Sequence, residues 1–218
     1  TRTRSYGLKM PKITDFELKK SRILILGCGA LAREIIGLKQ LNSWDHIDLK
    51  CLDASLHNRP HLIAPTIRSE IKKYKKTYEN IFIAYADCGT SGEIDEVLKN
   101  ENIDRLSGAH CYETFVGNQK FEELMNEELG TFFLTDFLVM HFDRLVYRGL
   151  GLDRHKDMRD QIFGNYKRVV YLSQSNDLGL IKKAKLAAKK LNLKFFYQES
   201  GLGGLKNQLE TQVLQFKY

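Results

Sequence analysis

Three features of the sequence predict an α/β fold, in which a doubly wound, mostly parallel sheet carries helices on both faces. Short apolar runs bounded by turn residues, such as RILILG and IFIAYA, are typical of strands that are buried on both faces. Segments with apolar residues at helical spacing follow most of these runs along the chain. Glycine stands where several runs end, which favours sharp strand-to-helix turns. Strands that alternate with helices in this way indicate parallel pairing through crossover connections.

The first half of the chain repeats this strand–helix unit. The predicted strands are SRILILGCG, IDLKCLD, ENIFIAYADCGT and a short fourth strand in IDRLSGAHCYE. The predicted helices are ALAREIIGLKQLN, IRSEIKKYKKTYEN and a short helix from Glu93 to Lys99. Each predicted strand therefore ends in a turn that contains polar or thiol side chains.

The middle of the chain has a different pattern. Helical spacing interrupted by Gly117, Gly130 and Gly149 predicts two consecutive helices that cross the sheet, as a helical insertion over about residues 113–160. The alternation then resumes with KRVVYLSQ, DLGLIKKAKLAAKKLN, LKFFYQES and LKNQLETQVLQF. We predict an N-terminal arm over residues 1–20 and a single α/β domain over residues 21–218.

Composition excludes some classes of function. No apolar run reaches the roughly 18 residues of a membrane span, and the basic N-terminus is not followed by an apolar stretch. We therefore expect a cytoplasmic protein whose four cysteines are thiols. The net charge of +7 indicates a lysine-rich surface, and the absence of interleaved aromatic residues argues against nucleic acid. A field that steers a small anionic substrate is the other interpretation of this charge. A homo-oligomer is compatible with the sequence.

Three of the four cysteines follow predicted strands, and glycine lies near each of them. Because strand ends in one sheet converge, we expect Cys28, Cys88 and Cys111 to approach one another, with His110 beside them. Such a set would hold zinc with one open position, or a 4Fe–4S cluster with one iron free for substrate. Cys51 lies inside a strand and is expected to pack in the core. Two alternatives remain: small residues that only fill turns, or one cysteine as nucleophile with His110 or His141 as its base.

Two glycine-rich loops suggest a nucleotide-binding enzyme as a further alternative. Gly27 and Gly29 follow the first strand, and Asp53 falls near the position of a ribose-binding acid. Position 32 is alanine, however, so the need for a tight turn explains the glycines of this loop better than dinucleotide binding does. The segment SGLGGL near the C-terminus also precedes a helix, whose N-terminus would suit an anion.

Charged residues form two further clusters. His57, Asn58 and Arg59 share one loop, where they would bind substrate or form a local salt bridge. A single helix from about Thr131 to Arg148 is expected to direct its charges toward the cysteines, or to bury them as an ion-pair network. The members of this second cluster, with the residues that follow the double-glycine turn, are Asp136, Met140, His141, Asp143, Arg144, Tyr147, Arg148, Asp153, Arg154 and His155.

Several long segments resemble one known family. They are CGALARE, LHNRP, YADCGT, GAHCYE, GTFFLTDFL, HFDRLV, RGLGLDRH and FGNYKRVVYLSQ. Together they are similar to the bacterial and archaeal family that is number sixteen-thirty-eight in the domain-of-unknown-function series, over roughly residues 22–205. The resemblance implies an association with corrinoid methyltransferase systems and one-carbon metabolism. It implies no settled activity for any residue, and Cys51 falls outside these motifs.

The sequence therefore predicts a metal-dependent transferase or lyase of methyl or one-carbon metabolism. Zinc would be held by Cys28, Cys88, Cys111 and His110. The residues expected to transfer protons are Asp87, Glu113, His141 and Asp143, and those expected to bind an anionic substrate are His57, Asn58, Arg59, Arg148, Arg154 and His155. The alternative is a metal-free ligand-binding protein that serves a corrinoid methyltransferase, or a nucleotide-binding enzyme.

Overall fold

A computed structural model describes residues 23–216. The predicted N-terminal arm lies outside the described residues. The predicted fold class is confirmed, because every strand pairing is parallel and helices connect the strands. The strands form two sheets, however, where the sequence predicted one. In the described part of the chain, no helix has the length and apolar character that a membrane crossing needs.

The first sheet has four strands in the order β2-β1-β3-β4. The strands are β1 (Ile23–Cys28), β2 (Ile47–Leu52), β3 (Asn80–Ala84) and β4 (Asp104–Arg105). The helices between them are α1 (Ala32–Leu41), α2 (Ile63–Tyr74) and α3 (Glu93–Lys99). β1 is buried along its whole length because it pairs on both sides, with β2 and with β3. This central position explains why its sequence is a continuous apolar run.

The second sheet has three strands in the order β5-β6-β7. They are β5 (Thr131–Leu134), β6 (Arg168–Ser173) and β7 (Lys194–Glu199). Helices α4 (Glu113–Val116) and α5 (Asn118–Glu127) precede this sheet, whereas α6 (Asp136–Met140), α7 (Lys156–Phe163) and α8 (Leu178–Leu191) connect its strands. The last helix, α9 (Gly203–Gln215), returns to the first sheet, where Leu205 and Leu209 are fully buried in its core.

The predicted helix from Thr131 to Arg148 is wrong. Residues 131–134 form β5, which pairs with β6, and α6 is only five residues long. A π-helical turn over Asp143–Tyr147 follows it. The segment TFFL is short, apolar and rich in aromatic residues, which favours a strand once a partner such as β6 is present. The predicted helical insertion therefore contains the first strand of the second sheet.

Candidate functional site

The site lies where the strand order of the first sheet reverses. The chain passes from β1 to β2 on one side of β1, and then to β3 on its other side. In open parallel sheets, ligands bind in the crevice at the carboxyl ends of the two strands that flank such a reversal. Cys28 is the last residue of β1, and Tyr85 follows β3 directly. Gly27 pairs with Ala84, so Cys28 and Tyr85 occupy the next positions of two adjacent strands.

Three sulfur atoms meet at this crevice. The sulfur atoms of Cys88 and Cys111 lie 2.9 Å apart. The thiol of Cys111 also forms a hydrogen bond with Cys28. Cys51 is half-buried in β2 and does not line the cavity next to these sulfurs. The structure thus brings Cys28, Cys88 and Cys111 to one cavity, with Cys51 apart, whereas their role as metal ligands stays a prediction.

Two backbone hydrogen bonds explain why Cys88 and Cys111 meet. The loop after β3 and the loop after β4 lie side by side, because the Asp87 N–H donates to the Gly108 carbonyl at 3.1 Å. The Cys88 N–H likewise donates to the Ala109 carbonyl at 2.8 Å. Cys88 has a φ of +51°, an uncommon conformation for a residue with a side chain. Such a conformation persists where the surrounding structure fixes it, as these paired loops do.

Two carboxylates that the sequence suggested as proton-transfer groups hold these loops in place. Asp87 accepts hydrogen bonds from the N–H groups of Ser91 and Gly92 and from the Thr90 hydroxyl. Burial raises the pKa of Asp87, but these three donors outweigh burial and leave it below its usual value. Glu113 is buried, and its carboxylate accepts from the Ala109 N–H at 2.8 Å. Both groups are therefore occupied within the loops that carry Cys88 and Cys111, and neither lines the cavity.

Hydrogen bonds around Cys28 favour ionisation of its thiol. The hydrogen bond from Cys111 lowers the pKa of Cys28, against the effect of burial, and the Ala30 N–H and Tyr85 hydroxyl lower it further. The hydrogen bonds to Cys28 and Cys88 raise the pKa of Cys111, which remains a thiol. The Tyr85 hydroxyl is buried beside this thiol and, within residues 23–216, has no hydrogen-bond partner of good geometry. The arrangement stabilises one thiolate among the three sulfurs.

A cavity of about 240 Å³ opens above the sulfurs, between the two sheets. Both sheets contribute to its wall, the second through β5 and the start of α6. Six aromatic side chains dominate this wall: Tyr85, Tyr112, Phe115, Phe132, Phe133 and Tyr166. Tyr112 stacks between His110 and Phe133, with ring centroids 4.9 and 5.2 Å away. A concave, mostly aromatic cavity with a few polar groups at its floor is the usual form of a small-molecule site.

Two histidines complete the wall, His57 from the loop after β2 and His110 from the loop after β4. The surrounding protein lowers the pKa of both imidazoles by removing water from them. Their mutual repulsion lowers the pKa of His57 further, whereas Glu113 and Asp87 partly oppose the shift at His110. His57 lines the cavity, and part of its side chain is exposed to solvent. Both rings are therefore neutral near pH 7 and able to accept a proton.

A comparison with protein families decides the relationship that the motifs suggested. The profile of a family described as "Protein of unknown function (DUF1638)" matches residues 51–209, which is more than half of the chain. The chain belongs to the DUF1638 family. The matched segment begins after β1, so it contains Cys88, His110 and Cys111 but not Cys28. No curated protein and no solved structure matches the chain.

The other predicted substrate-binding residues of the DUF1638 chain do not line the cavity. Asn58 donates its side-chain amide to the Leu145 carbonyl at 2.8 Å and so joins the loop after β2 to the π-helical turn. The side chains of Arg59, Arg148, Arg154 and His155 are exposed. His141 packs edge-on against Phe137, and Asp143 forms an exposed ion pair with Lys190 at 2.7 Å. The structure does not bring these residues to the sulfurs, and their predicted roles stay predictions.

The predicted ion-pair network around Asp136 takes a different form in this DUF1638 chain. Asp136 is only 1% exposed, and its carboxylate accepts from the Tyr171 hydroxyl and from the N–H groups of Gln174 and Ser175. It joins the end of β5 to the end of β6, and no cationic side chain of residues 23–216 pairs with it. Asp136 therefore closes the second sheet and does not face the cysteines.

The two glycine loops of the DUF1638 chain are explained by close packing. A Cβ atom on Gly29 would lie 2.7 Å from the Leu52 carbonyl oxygen, at the end of β2. A Cβ atom on Gly204 would clash with the carbonyl oxygen of Thr114, because α9 packs against α4 at that point. Both positions need glycine for the approach of another chain segment, which supports tight turning over a phosphate-binding role.

Two features of the site were not predicted from the sequence. Tyr85 follows the apolar run of β3 directly, and it takes the position next to Cys28 on the neighbouring strand. The aromatic residues of β5 were assigned to a helix, so their place in the cavity wall was not predicted. The run TFFL after Gly130 fits a strand, but the same four residues fit a helix equally until β6 is adjacent.

The donor set suits a thiophilic metal, although the geometry is not that of a formed site. Among residues 23–216, no three His, Cys, Asp or Glu side chains are already grouped to hold an ion. Zinc–sulfur bonds of about 2.3 Å place two sulfurs of a tetrahedral site about 3.8 Å apart. The sulfur atoms of Cys88 and Cys111 lie 2.9 Å apart, so they would need to move about 0.9 Å further apart to bind one zinc ion together.

Proposed function

We propose that the chain is a metal-dependent enzyme whose site is formed by the thiols of Cys28, Cys88 and Cys111. The observation that carries the proposal is that these three thiols line one aromatic cavity, with hydrogen bonds that join Cys111 to Cys28 and to Cys88. Structural cysteines that only fill turns have no reason to meet. Three protein ligands with a fourth position open to a cavity are the usual pattern of catalytic zinc.

The residues around the sulfurs support this chemistry. A bound zinc ion would supply a Lewis acid that lowers the pKa of a water or substrate thiol at the fourth position. Tyr85 would donate to the Cys28 sulfur and orient it, and neutral His110 would accept the proton released by the nucleophile. The aromatic wall would exclude water. His110 is thus better placed as a base on the wall, stacked on Tyr112, than as the fourth ligand.

The reaction class rests on the family alone. The resemblance to proteins that accompany corrinoid methyltransferases supports a transferase or lyase of methyl or one-carbon metabolism. An activated thiol or water beside a dry aromatic cavity is compatible with such a transfer, because both are nucleophiles that attack an electrophilic carbon. A 4Fe–4S cluster held by the same three cysteines is the close variant.

A metal-free dithiol enzyme is the second candidate. The 2.9 Å separation of the Cys88 and Cys111 sulfurs is short enough for a disulfide to form with little movement. In that case Cys28, whose pKa is lowered, would be the attacking thiolate. The two candidates share the same residues and differ in whether a metal is bound.

Metal analysis of anaerobically purified protein separates them. The expected result is one zinc per chain for the wild type and for the control Cys51→Ser, with loss of metal in Cys88→Ser. A visible charge-transfer absorption with iron and sulfide would indicate the cluster instead. Wild-type protein that carries no metal, and takes up none from a stoichiometric zinc solution, would refute the proposal and favour the dithiol.

A further inference from the structure

The chain crosses between the two sheets at two points that lie side by side. It passes from the first sheet to the second at Gly117, between α4 and α5, and returns at Gly201, between β7 and α9. Helix α9 packs against α4, and a Cβ atom on Gly204 would lie 3.6 Å from the Gly117 nitrogen. The two crossings divide the described chain into a first lobe, residues 23–116 and 202–216, and a second lobe, residues 118–200.

The backbone at both crossings suits a hinge. Gly117 and Gly201 have φ angles of +79° and +56°, which residues with side chains rarely adopt. Apart from its chain neighbours, a Cβ atom on either glycine would have no atom within 4 Å, so packing does not hold these positions tightly. The first lobe also has its own core, because the buried cluster around the first sheet includes Leu205 of α9 and no described residue of the second lobe. Hinges are short segments that join separately packed bodies in this way.

A hydrogen bond between Asn58 and Leu145 joins the lobes at the far edge of the first sheet. The crossings follow β4, whereas Asn58 follows β2, and these strands are the two edges of that sheet. Three strand spacings of roughly 4.8 Å place the Asn58 edge about 14 Å from the β4 edge. The Asn58 side-chain amide donates to the Leu145 carbonyl at 2.8 Å. A rotation of roughly 15° about the crossings moves these two groups apart by about 4 Å, which breaks the hydrogen bond.

The surroundings of Asn58 and Leu145 suit a contact that opens and closes. Asn58 is exposed, so water can replace the carbonyl when the hydrogen bond breaks. Gly149 leaves room for the amide group, since a Cβ atom there would lie 2.9 Å from the Asn58 side-chain nitrogen. The Leu145 carbonyl belongs to the π-helical turn, and such turns are frequent at functional sites. The hydrogen bond between Asn58 and Leu145 is therefore suited to act as a latch.

The cavity lies between the two crossings and the latch. Its three thiols belong to the first lobe, whereas Phe132, Phe133 and Tyr166 of its wall belong to the second. His57, which precedes Asn58, also lines the cavity, so opening of the latch opens the cavity wall. Closure of the lobes places the aromatic side chains over the thiols and excludes water from them.

We propose that the two lobes close on the ligand of this cavity by rotation about Gly117 and Gly201, and that the latch holds the closed state. The inference rests on the proposed function only in taking this cavity as the place where a ligand binds. It does not depend on which ligand binds or on whether a metal is present.

Distances between two spin labels test this motion. The labels are carried by azide-bearing residues in place of Arg68 and Asp153, exposed residues of the first and the second lobe, so the native cysteines stay unmodified. A control pair, at Glu122 and Lys183, lies wholly in the second lobe. Asn58→Ala should lengthen the distance across the lobes by about 3 Å or more and leave the control distance unchanged.

The matched control variant is Asn126→Ala, at an exposed asparagine of α5, which should change neither distance. An unchanged distance across the lobes in Asn58→Ala overturns the inference. Lengthening of both distances also overturns it, because general loosening and not a hinge would then explain the change.

The outcome is distinguishable from the fate of the proposed function. Cys28, Cys88 and Cys111 all lie in the first lobe, so the same result is expected with and without stoichiometric zinc. Zinc binding without the hinge motion would retain the metal-dependent enzyme and refute this inference. The hinge motion in a chain that takes up no zinc would do the reverse.

Discussion

The sulfur of Cys88 lies 2.9 Å from that of Cys111, although 23 residues separate them in sequence. This distance is longer than a disulfide bond of about 2.05 Å and shorter than the ~3.8 Å edge of a tetrahedral zinc–thiolate site. The paired loops after β3 and β4 fix the backbones of both residues. Small side-chain movements therefore lead from this geometry either to a metal site or to a disulfide.

Oxidation should link Cys88 to Cys111. Diamide takes two electrons and two protons from a pair of thiols, which leaves one disulfide and the reduced reagent. We expect peptide mapping to find the Cys88–Cys111 crosslink in metal-free protein, and zinc loading to suppress it. Cys51 should remain a free thiol throughout. A crosslink that forms equally fast in zinc-loaded protein would show that these thiols do not bind the metal.

Glu113 should stabilise the loop that carries Cys111. Glu113→Ala removes the buried acceptor of the Ala109 N–H, which we expect to lower the free energy of unfolding by about 1–3 kcal/mol. Glu113→Gln retains an acceptor oxygen and should recover much of this loss. The control Glu123→Ala removes an exposed pair with Lys120 and should change it by less than about 1 kcal/mol. Urea titrations measure all three. Equal effects of the Ala substitutions would contradict this role.

The sequence predicted the first sheet and the convergence of the sulfurs because continuous apolar runs identify buried strands. Cys28 ends β1 and Cys88 lies in the loop after β3, so parallel pairing of these strands brings both residues to the same edge of the sheet. The strand β5 was not predictable in the same way, since a run of four residues, three of them apolar, fits a strand or a helix equally until β6 is adjacent. The roles of Asp87 and Glu113 also depend on hydrogen bonds within loops, which periodicity does not describe.

The C-terminal helix should depend on a glycine at the contact with α4. In Gly204→Ala, the added Cβ would clash with the Thr114 carbonyl oxygen, so we expect a loss of about 1–3 kcal/mol in the free energy of unfolding. Gly203→Ala is the matched control, because no atom lies within 4 Å of its added Cβ. Thermal and urea unfolding compare the two. A stable Gly204→Ala variant would mean that α9 does not pack against α4 as described.

Glu34 should make stability depend on pH. Burial raises the pKa of Glu34, and the nearby Asp136 carboxylate raises it further, although its own N–H and Arg33 oppose this. Because the pKa of Glu34 is higher in the folded than in the unfolded protein, its contribution to the free energy of unfolding is fully present below about pH 4.3, the pKa of an unfolded glutamate. This contribution is lost as the pH rises through the pKa that Glu34 has in the folded protein. Glu34→Gln should remove that loss, whereas the exposed control Glu122→Gln should not. Identical pH profiles of unfolding for Glu34→Gln and wild type would contradict this.

X-ray absorption at the zinc edge tests the central claim most directly. Zinc-loaded wild-type protein should show three sulfur neighbours at about 2.3 Å and one oxygen or nitrogen neighbour at about 2.0 Å. Cys51→Ser should give the same spectrum, and Cys88→Ser should lose one sulfur neighbour or fail to hold the metal. A first shell of nitrogen and oxygen alone, or a sulfur count that is unchanged in Cys88→Ser, would contradict a metal site formed by Cys28, Cys88 and Cys111.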